Sequence, residues 1–175
     1  MKYLIFSDLH GSASSVDKII DVFEKFKCDK MICLGDVLYH GPRNDLPEGY
    51  NPKYVITKIN GYSEKIICIQ GNCDAEVDQM VLNFPLVKSE TLILNNLFCH
   101  LEHGHHLDKL STRANIIFYG HTHISEIRRE GDQVFVNPGS ITIPKNNTSR
   151  SYMILDNNEL SLYDFNDVLL KKENF

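Results

Sequence analysis

Five times along this chain a short apolar run stops at a polar cluster built from Asp, His or Asn. Tyr3-Leu4-Ile5-Phe6 leads into Asp8-Leu9-His10, Met31-Ile32-Cys33-Leu34 into Gly35-Asp36, and Ile66-Ile67-Cys68-Ile69 into Gly71-Asn72. Leu97 to Leu101 leads into His103-Gly104-His105, and Ile116 to Tyr119 into Gly120-His121-Thr122-His123. Short apolar runs bounded by Gly and polar residues read as buried strands. Open α/β sheets bind ligands beyond the carboxyl ends of their strands. The repetition therefore constrains the chain to a fold in which several strand ends converge on one pocket.

Helical signals lie between these runs in the first half. Val16, Ile19, Ile20, Phe23 and Phe26 fall at helical spacing, with Ser14 or Ser15 available as the N-cap. After a long loop, Pro52 suits the first turn of a second helix because its φ is already set. Val77, Met80 and Val81 predict a short third one. The second half changes character. Thr91 to Leu94, Leu97 to Leu101, Ile116 to Tyr119, Ile127 to Arg129, Val134 to Val136, Tyr152 to Leu155 and Leu160 to Tyr163 read as strands. Asn95-Asn96, Glu130-Gly131-Asp132 and Asp156-Asn157-Asn158 are turn signals that fold several of them into antiparallel hairpins. The pattern predicts an α/β fold of two stacked sheets flanked by helices, rather than one doubly wound sheet.

Size and charge narrow the function. At 175 residues, a single domain over 1–175 is expected, with no disorder outside the last few residues. A net charge of -5 argues against stable nucleic-acid binding, which draws on clustered Lys and Arg. A small anionic substrate stays open, because bound metals supply local positive charge. The first apolar run is too short for a signal-peptide core or a membrane span, so a cytoplasmic protein without membrane contact is expected. The five cysteines are odd in number and mostly sit in strand-like runs, which predicts buried free thiols.

The clusters carry the chemistry of a two-metal site. Cleavage of a phosphate ester by such a site needs two divalent cations about 3.5 to 4 Å apart, a bridging ligand, and oxygen or imidazole donors around each. Extended backbone would aim Asp8 and His10 to one side, so that both ligate one metal. Gly120-His121-Thr122-His123 offers two imidazoles, one for each metal, behind a glycine that permits close approach. Asn72 adds a neutral oxygen that limits the accumulated negative charge. Mixed Asp, His and Asn donors suit Mn²⁺, Fe²⁺ or Zn²⁺ better than Mg²⁺ or Ca²⁺. Each cluster alone also fits an ordinary turn; five in order, each after its strand, do not.

These motifs resemble those of the calcineurin-like metallophosphoesterase superfamily: Asp-x-His, Gly-Asp, Gly-Asn, a later His, and Gly-His-x-His. The chain is more similar still to the small bacterial YfcE-type phosphodiesterases, through Ser7 to Gly11, Leu34 to Leu38, His40 to Asn44, Gly71 to Asp74, Gly120 to His123 and Asn137 to Ser140. The resemblance implies a four-layer α/β/β/α sandwich and a metal-dependent phosphodiesterase in which a metal-bound hydroxide attacks phosphorus. It implies that Asp8, His10 and His123 hold one metal, that Asn72, His103 and His121 hold the other, and that Asp36 bridges them. Mn²⁺ is the expected activator, with Zn²⁺, Fe²⁺ or Ni²⁺ as alternatives. A small phosphodiester is the expected substrate, and self-association is common among relatives. Phosphomonoester hydrolysis at the same site and a non-catalytic protein-binding scaffold are the rival readings.

Many superfamily members follow Gly-Asn with a histidine that protonates the leaving group, whereas Cys73 and Asp74 stand here. Asp74 or His105 is therefore expected to serve the leaving group, giving a catalytic set of Asp36, Asn72, His105 and Asp74; the alternative for Asp74 is an N-cap of the next helix. Arg43 and His40, on the long loop after Asp36, are the expected phosphate contacts. His100 and His106 are read as structural or solvent-exposed, and Ser140 as a loop residue near the site.

Overall fold

The computed structural model describes residues 1–175. β1 (Lys2–Phe6), β2 (Lys30–Cys33), β3 (Ile66–Ile69) and the two-residue β4 (Leu86–Val87) run parallel. β5 (Ser89–Leu94), β6 (Leu97–Glu102), β7 (Ile116–Phe118), β8 (Ser125–Glu130) and β9 (Gln133–Pro138) build a second, mixed sheet in the order β5-β6-β7-β9-β8. β10 (Ser151–Asp156), β11 (Glu159–Asp164) and β12 (Leu169–Asn174) return to the first sheet. They complete the order β12-β11-β10-β1-β2-β3-β4, with β10 antiparallel to β1.

Alternation along β1 sends side chains to two cores. Leu4 and Phe6 pack with Val16, Ile19, Val22 and Phe23 of α1 (Ala13–Lys25) and with Val55 and Ile59 of α2 (Pro52–Ile59). Tyr3 and Ile5, with Ile32, Leu34 and Ile69, meet Cys99, Leu101, Ile116, Phe118 and Val136 of the second sheet. Each fully buried Leu, Ile or Phe contributes about 1.5–3 kcal/mol, so the strands that end at the polar clusters are clamped on both faces. Both α-helices lie on the seven-stranded sheet, and the stretch that builds the five-stranded sheet holds only the 3₁₀ turn Leu107–Lys109.

The three expected hairpins form, joining β5 to β6, β8 to β9 and β10 to β11. Three local readings change. Ser12, not Ser14 or Ser15, caps α1: its backbone is extended and its hydroxyl accepts from the Ser15 amide. The third helix is a 3₁₀ turn, Glu76–Met80. The chain's end is ordered as β12, although Leu169, Leu170, Lys171 and Lys172 are all exposed and carry no alternation. Its ladder to β11 holds it instead. All five cysteines are free thiols, four of them buried. No helix is long and apolar enough to cross a membrane.

Candidate metal centre

Three of the five loops that carry the candidate ligands leave their strands by left-handed steps. Asp8, His10, Asp36, His121 and His123 have φ of 58°, 48°, 57°, 65° and 61°, a conformation uncommon for residues other than glycine and frequent at functional sites. This corrects the extended geometry expected for Asp8-Leu9-His10. The two loops bend together at the sheet edge, joined by Asp8 N–H to Gly35 O, His10 N–H to Asp36 O and Gly11 N–H to Val37 O, at 2.9 to 3.0 Å. The turn sends Leu9 into the core and leaves Asp8 and His10 facing the other ligands. Gly120 is required for a close approach: a Cβ there would lie 1.9 Å from Ser7 Oγ. At Gly71 it would lie 2.0 Å from Asp36 Oδ1.

Asp8, His10 and His123 form one donor triangle. Asp8 Oδ1 lies 3.7 Å from His10 Nε2 and 3.2 Å from His123 Nε2, and the two Nε2 atoms are 3.3 Å apart. These are the edge lengths expected between neighbouring ligands of one cation bound at about 2.0–2.2 Å. Asp36 Oδ2 lies 3.8 Å from His10 Nε2 and 3.5 Å from His103 Nε2, between that triangle and a second group. In the second group His103 Nε2 is 3.1 Å from Asn72 Oδ1, and the His121 ring lies 5.2 Å from that of His103. Asp36 thus has the position of a bridge. All seven residues expected as ligands come together.

The hydrogen bonds behind these side chains fit a cation. His10 Nδ1 lies 2.7 Å from Tyr39 O, His103 Nδ1 2.6 Å from Leu34 O, and His123 Nδ1 2.7 Å from Ile143 O. A carbonyl only accepts, so each Nδ1 carries the proton and each Nε2 turns toward the cluster, an arrangement that orients imidazoles for metals. His10 and His123 then aim two Nε2 atoms at each other, and only one proton fits between them. Asp8 Oδ1 is buried beside them without a hydrogen bond. A divalent cation would satisfy all three atoms.

Charge points the same way. Burial alone would raise the Asp36 carboxyl, but His103, the Cys73 amide and His10 hold it far below the usual carboxylate range. Asp8 is lowered as well, against its burial, by His123 and His103. Burial would lower His103, yet Asp36 and Asp8 hold it up to about 9. The carboxylates demand positive charge at that nitrogen, which a metal supplies in competition with the proton.

The residues around the ligands divide sharply. Asp74 is 7% exposed, and its two oxygens accept from the amides of Asp36, Val37 and Gly71 at 2.7 to 2.8 Å. It braces the Asp36 and Asn72 loops from behind. It neither caps the following turn, where Asp78 accepts from Ala75 N–H, nor presents a free oxygen to a leaving group. Cys73 is a neutral thiol, pushed up to about 12 by burial and by Asp36. His105 is exposed, with its ring 5.6 Å from that of His103 and 6.1 Å from that of His121, so it remains the candidate proton carrier.

Arg43 makes no ion pair and lines the cleft over the ligands, together with Lys145, which sequence reasoning missed. Lys145 reaches the cleft because its amide bonds to His123 O; no motif marks it. His40 does not line this cleft. Its ring stacks edge-on against Tyr39 and Tyr50, where it shapes the loop that carries Arg43. Ser140 Oγ donates to Asp8 O and accepts from the Thr142 and Ile143 amides, and Asn137 Nδ2 donates to Gly120 O. The Asn137 to Ser140 loop therefore supports two ligand loops. His100 is buried, with Nδ1 2.7 Å from Thr91 Oγ1.

Comparison with known proteins places this geometry in a family. Residues 1–159 match the calcineurin-like phosphoesterase superfamily domain. Phosphodiesterase YfcE of Escherichia coli strain K12 is 40% identical over 172 residues, covering 95% of this chain and 94% of its own. The solved structure of YfcE, a phosphoesterase from E. coli, superposes with a TM-score of 0.95 at 37% identity, over 99% of both chains. Vps29 from Entamoeba histolytica, solved with Zn²⁺, shares the fold with a TM-score of 0.65 at 22% identity, over 100% of this chain and 98% of its own.

Proposed function

The chain belongs to the calcineurin-like phosphoesterase superfamily, and we propose that it is a metal-dependent phosphodiesterase working through two divalent cations, with Mn²⁺ as activator. Asp8, His10 and His123 hold one cation, Asn72, His103 and His121 the other, and Asp36 spans both. The observation that carries this reading is the facing pair His10 Nε2 and His123 Nε2, 3.3 Å apart beside the unpartnered Asp8 Oδ1.

Two bound cations would acidify a water for attack on phosphorus and offset charge on the phosphoryl oxygens. The chain's own residues do the rest. Arg43 and Lys145 flank the phosphate, His105 stands where the leaving alcohol departs, and Asp74 keeps the Asp36 and Asn72 loops in register. We read residues 1–175 as one domain that acts in the cytoplasm on a small diester.

A monoesterase reading draws on one specific observation, the two side-chain cations lining the cleft, since a dianionic phosphate needs more positive charge than a diester. Chelator-stripped protein assayed on bis-p-nitrophenyl phosphate beside p-nitrophenyl phosphate, with Mn²⁺, Zn²⁺ or Mg²⁺ restored, separates the two. Diester cleavage returned by Mn²⁺ and absent in Asp36→Asn is expected. Faster monoester cleavage would favour the second reading, and inactivity with every metal would leave a binding scaffold.

A further inference from the structure

Beside the ligand cleft lies a second, much larger cavity of about 410 Å³, with no hydrophobic residue in its wall. Gln70, Lys88, Ser89, Glu102, His105 and His106 line it and offer both donors and acceptors. It shares a wall with the metal centre, because Gly71 and His103 line it too. His105 stands at the junction, its ring 4.2 Å from that of His106 and 6.1 Å from that of His121.

Glu102 is the informative residue. Its Oε1 is buried with no hydrogen bond, and its Oε2 lies 3.7 Å from His100 Nε2, which also lacks a partner. Buried polar atoms are nearly always paired, so unpaired ones beside a polar cavity point to a group that arrives from outside. No third donor joins Glu102 and His100 within coordinating distance, so this is not a further metal site.

Resting on the diester reading, we propose that this cavity receives one ester arm of the substrate, and that the arm is a polyhydroxylated group of the glycerol or sugar class. A diester carries two substituents, and the cleft over the ligands, about 40 Å³, has little room beyond the phosphate. An alkyl chain would find no hydrophobic side chain in the cavity wall. A hydroxyl-rich arm finds complementary partners: it donates to Glu102 and accepts from Lys88 and His106.

The test is kcat/KM for bis(glyceryl) phosphate beside that for bis-p-nitrophenyl phosphate, measured on the Mn²⁺-loaded protein, Glu102→Gln and Lys88→Ala. Each variant is expected to lower the glyceryl-to-aryl ratio roughly tenfold, as losing a hydrogen bond to a charged group does, mainly through KM. Unchanged ratios in both variants would overturn the proposal. So would equal losses on both substrates, which would make Glu102 a support of the metal centre. Lys88 is exposed, so its variant keeps the test standing if Glu102→Gln does not fold. A protein that cleaves the aryl diester but neither cleaves nor binds bis(glyceryl) phosphate loses this assignment alone. One inactive on every diester loses the phosphodiesterase reading, and this one with it.

Discussion

Two regions of the molecule are organised around shielded aspartates, and they are completed in opposite ways. Asp167, on the loop between β11 and β12, receives Lys18 Nζ at 2.5 Å, Lys25 Nζ at 2.6 Å and the Tyr152 hydroxyl at 2.7 Å. The chain itself supplies its positive charge, and the result ties α1 to the β10-β11-β12 edge. Asp8 and Asp36 have no lysine or arginine partner. They face imidazoles whose Nδ1 protons are already given to carbonyls, on backbone held left-handed. A carboxylate neutralised from within holds a fold together; one left to imidazoles and an unpartnered oxygen is arranged to take its charge from outside. The motifs in the sequence mark Asp8 and Asp36, whereas no motif marks Asp167.

The largest expected effect breaks this contrast directly. Asp36→Asn should lower Mn²⁺-supported diester cleavage by roughly 10³-fold or more while leaving the metal-free melting temperature unchanged or raised, whereas Asp167→Asn should leave kcat intact. Comparable activity in the two variants would remove the functional distinction. Metal addition should next raise the melting temperature of stripped protein in a concentration-dependent way, by about 2.7 kcal/mol of stability at a hundredfold excess over Kd. Thermal melts of Asp167→Asn should show the same increment, since its site takes no metal.

Asp167→Ala should then cost about 1–3 kcal/mol in chemical denaturation, because it leaves the shielded Lys18 ammonium and the Tyr152 hydroxyl without their acceptor, while Lys25 stays in water. Its pH dependence has a definite sign. Burial would raise Asp167, but Lys18, Lys25 and Tyr152 hold it down to about 2, below the unfolded value of about 3.9. The stability it contributes is present above pH 4 and disappears as pH falls toward 2. Urea titrations should show that acid loss in the parent and a flatter profile in Asp167→Asn.

Asp74→Asn sharpens the comparison within the metal centre. A brace predicts several-fold lower kcat on esters with good and poor leaving groups alike, whereas a proton donor would affect only the poor ones. The smallest effects belong to Arg43→Ala and Lys145→Ala, each expected to raise KM roughly threefold to tenfold in steady-state assays. A fall in kcat with KM unchanged would mean that these cations act on the transition state alone.

Much of this was legible in residues close together in the chain. Strand runs, hairpin turns and the polar clusters that hold the seven candidate ligands stand within windows of a few residues, because burial periodicity and donor type are local properties. Lys145 and β12 were not legible: one reaches the cleft through a backbone bond to His123, and the other is an exposed edge strand without alternation. Asp74 was legible as important but misplaced in role, since its three amide partners come from Asp36, Val37 and Gly71 on two separate loops.

By itself, the sequence determined the class of fold and the chemical nature of the site, since strand length, turn residues and the Asp, His and Asn donors are written in order. Only the tertiary structure decided which donor atoms lie within 4 Å of one another, that Asp74 faces backward and His40 away from the cleft, and that a polar cavity opens beside His103. Asp8 and His123 stand 115 positions apart, yet 3.2 Å separates their donor atoms. Such a distance follows from sheet register and left-handed turns at the strand ends, and these depend on the packing of both sheets rather than on any one segment.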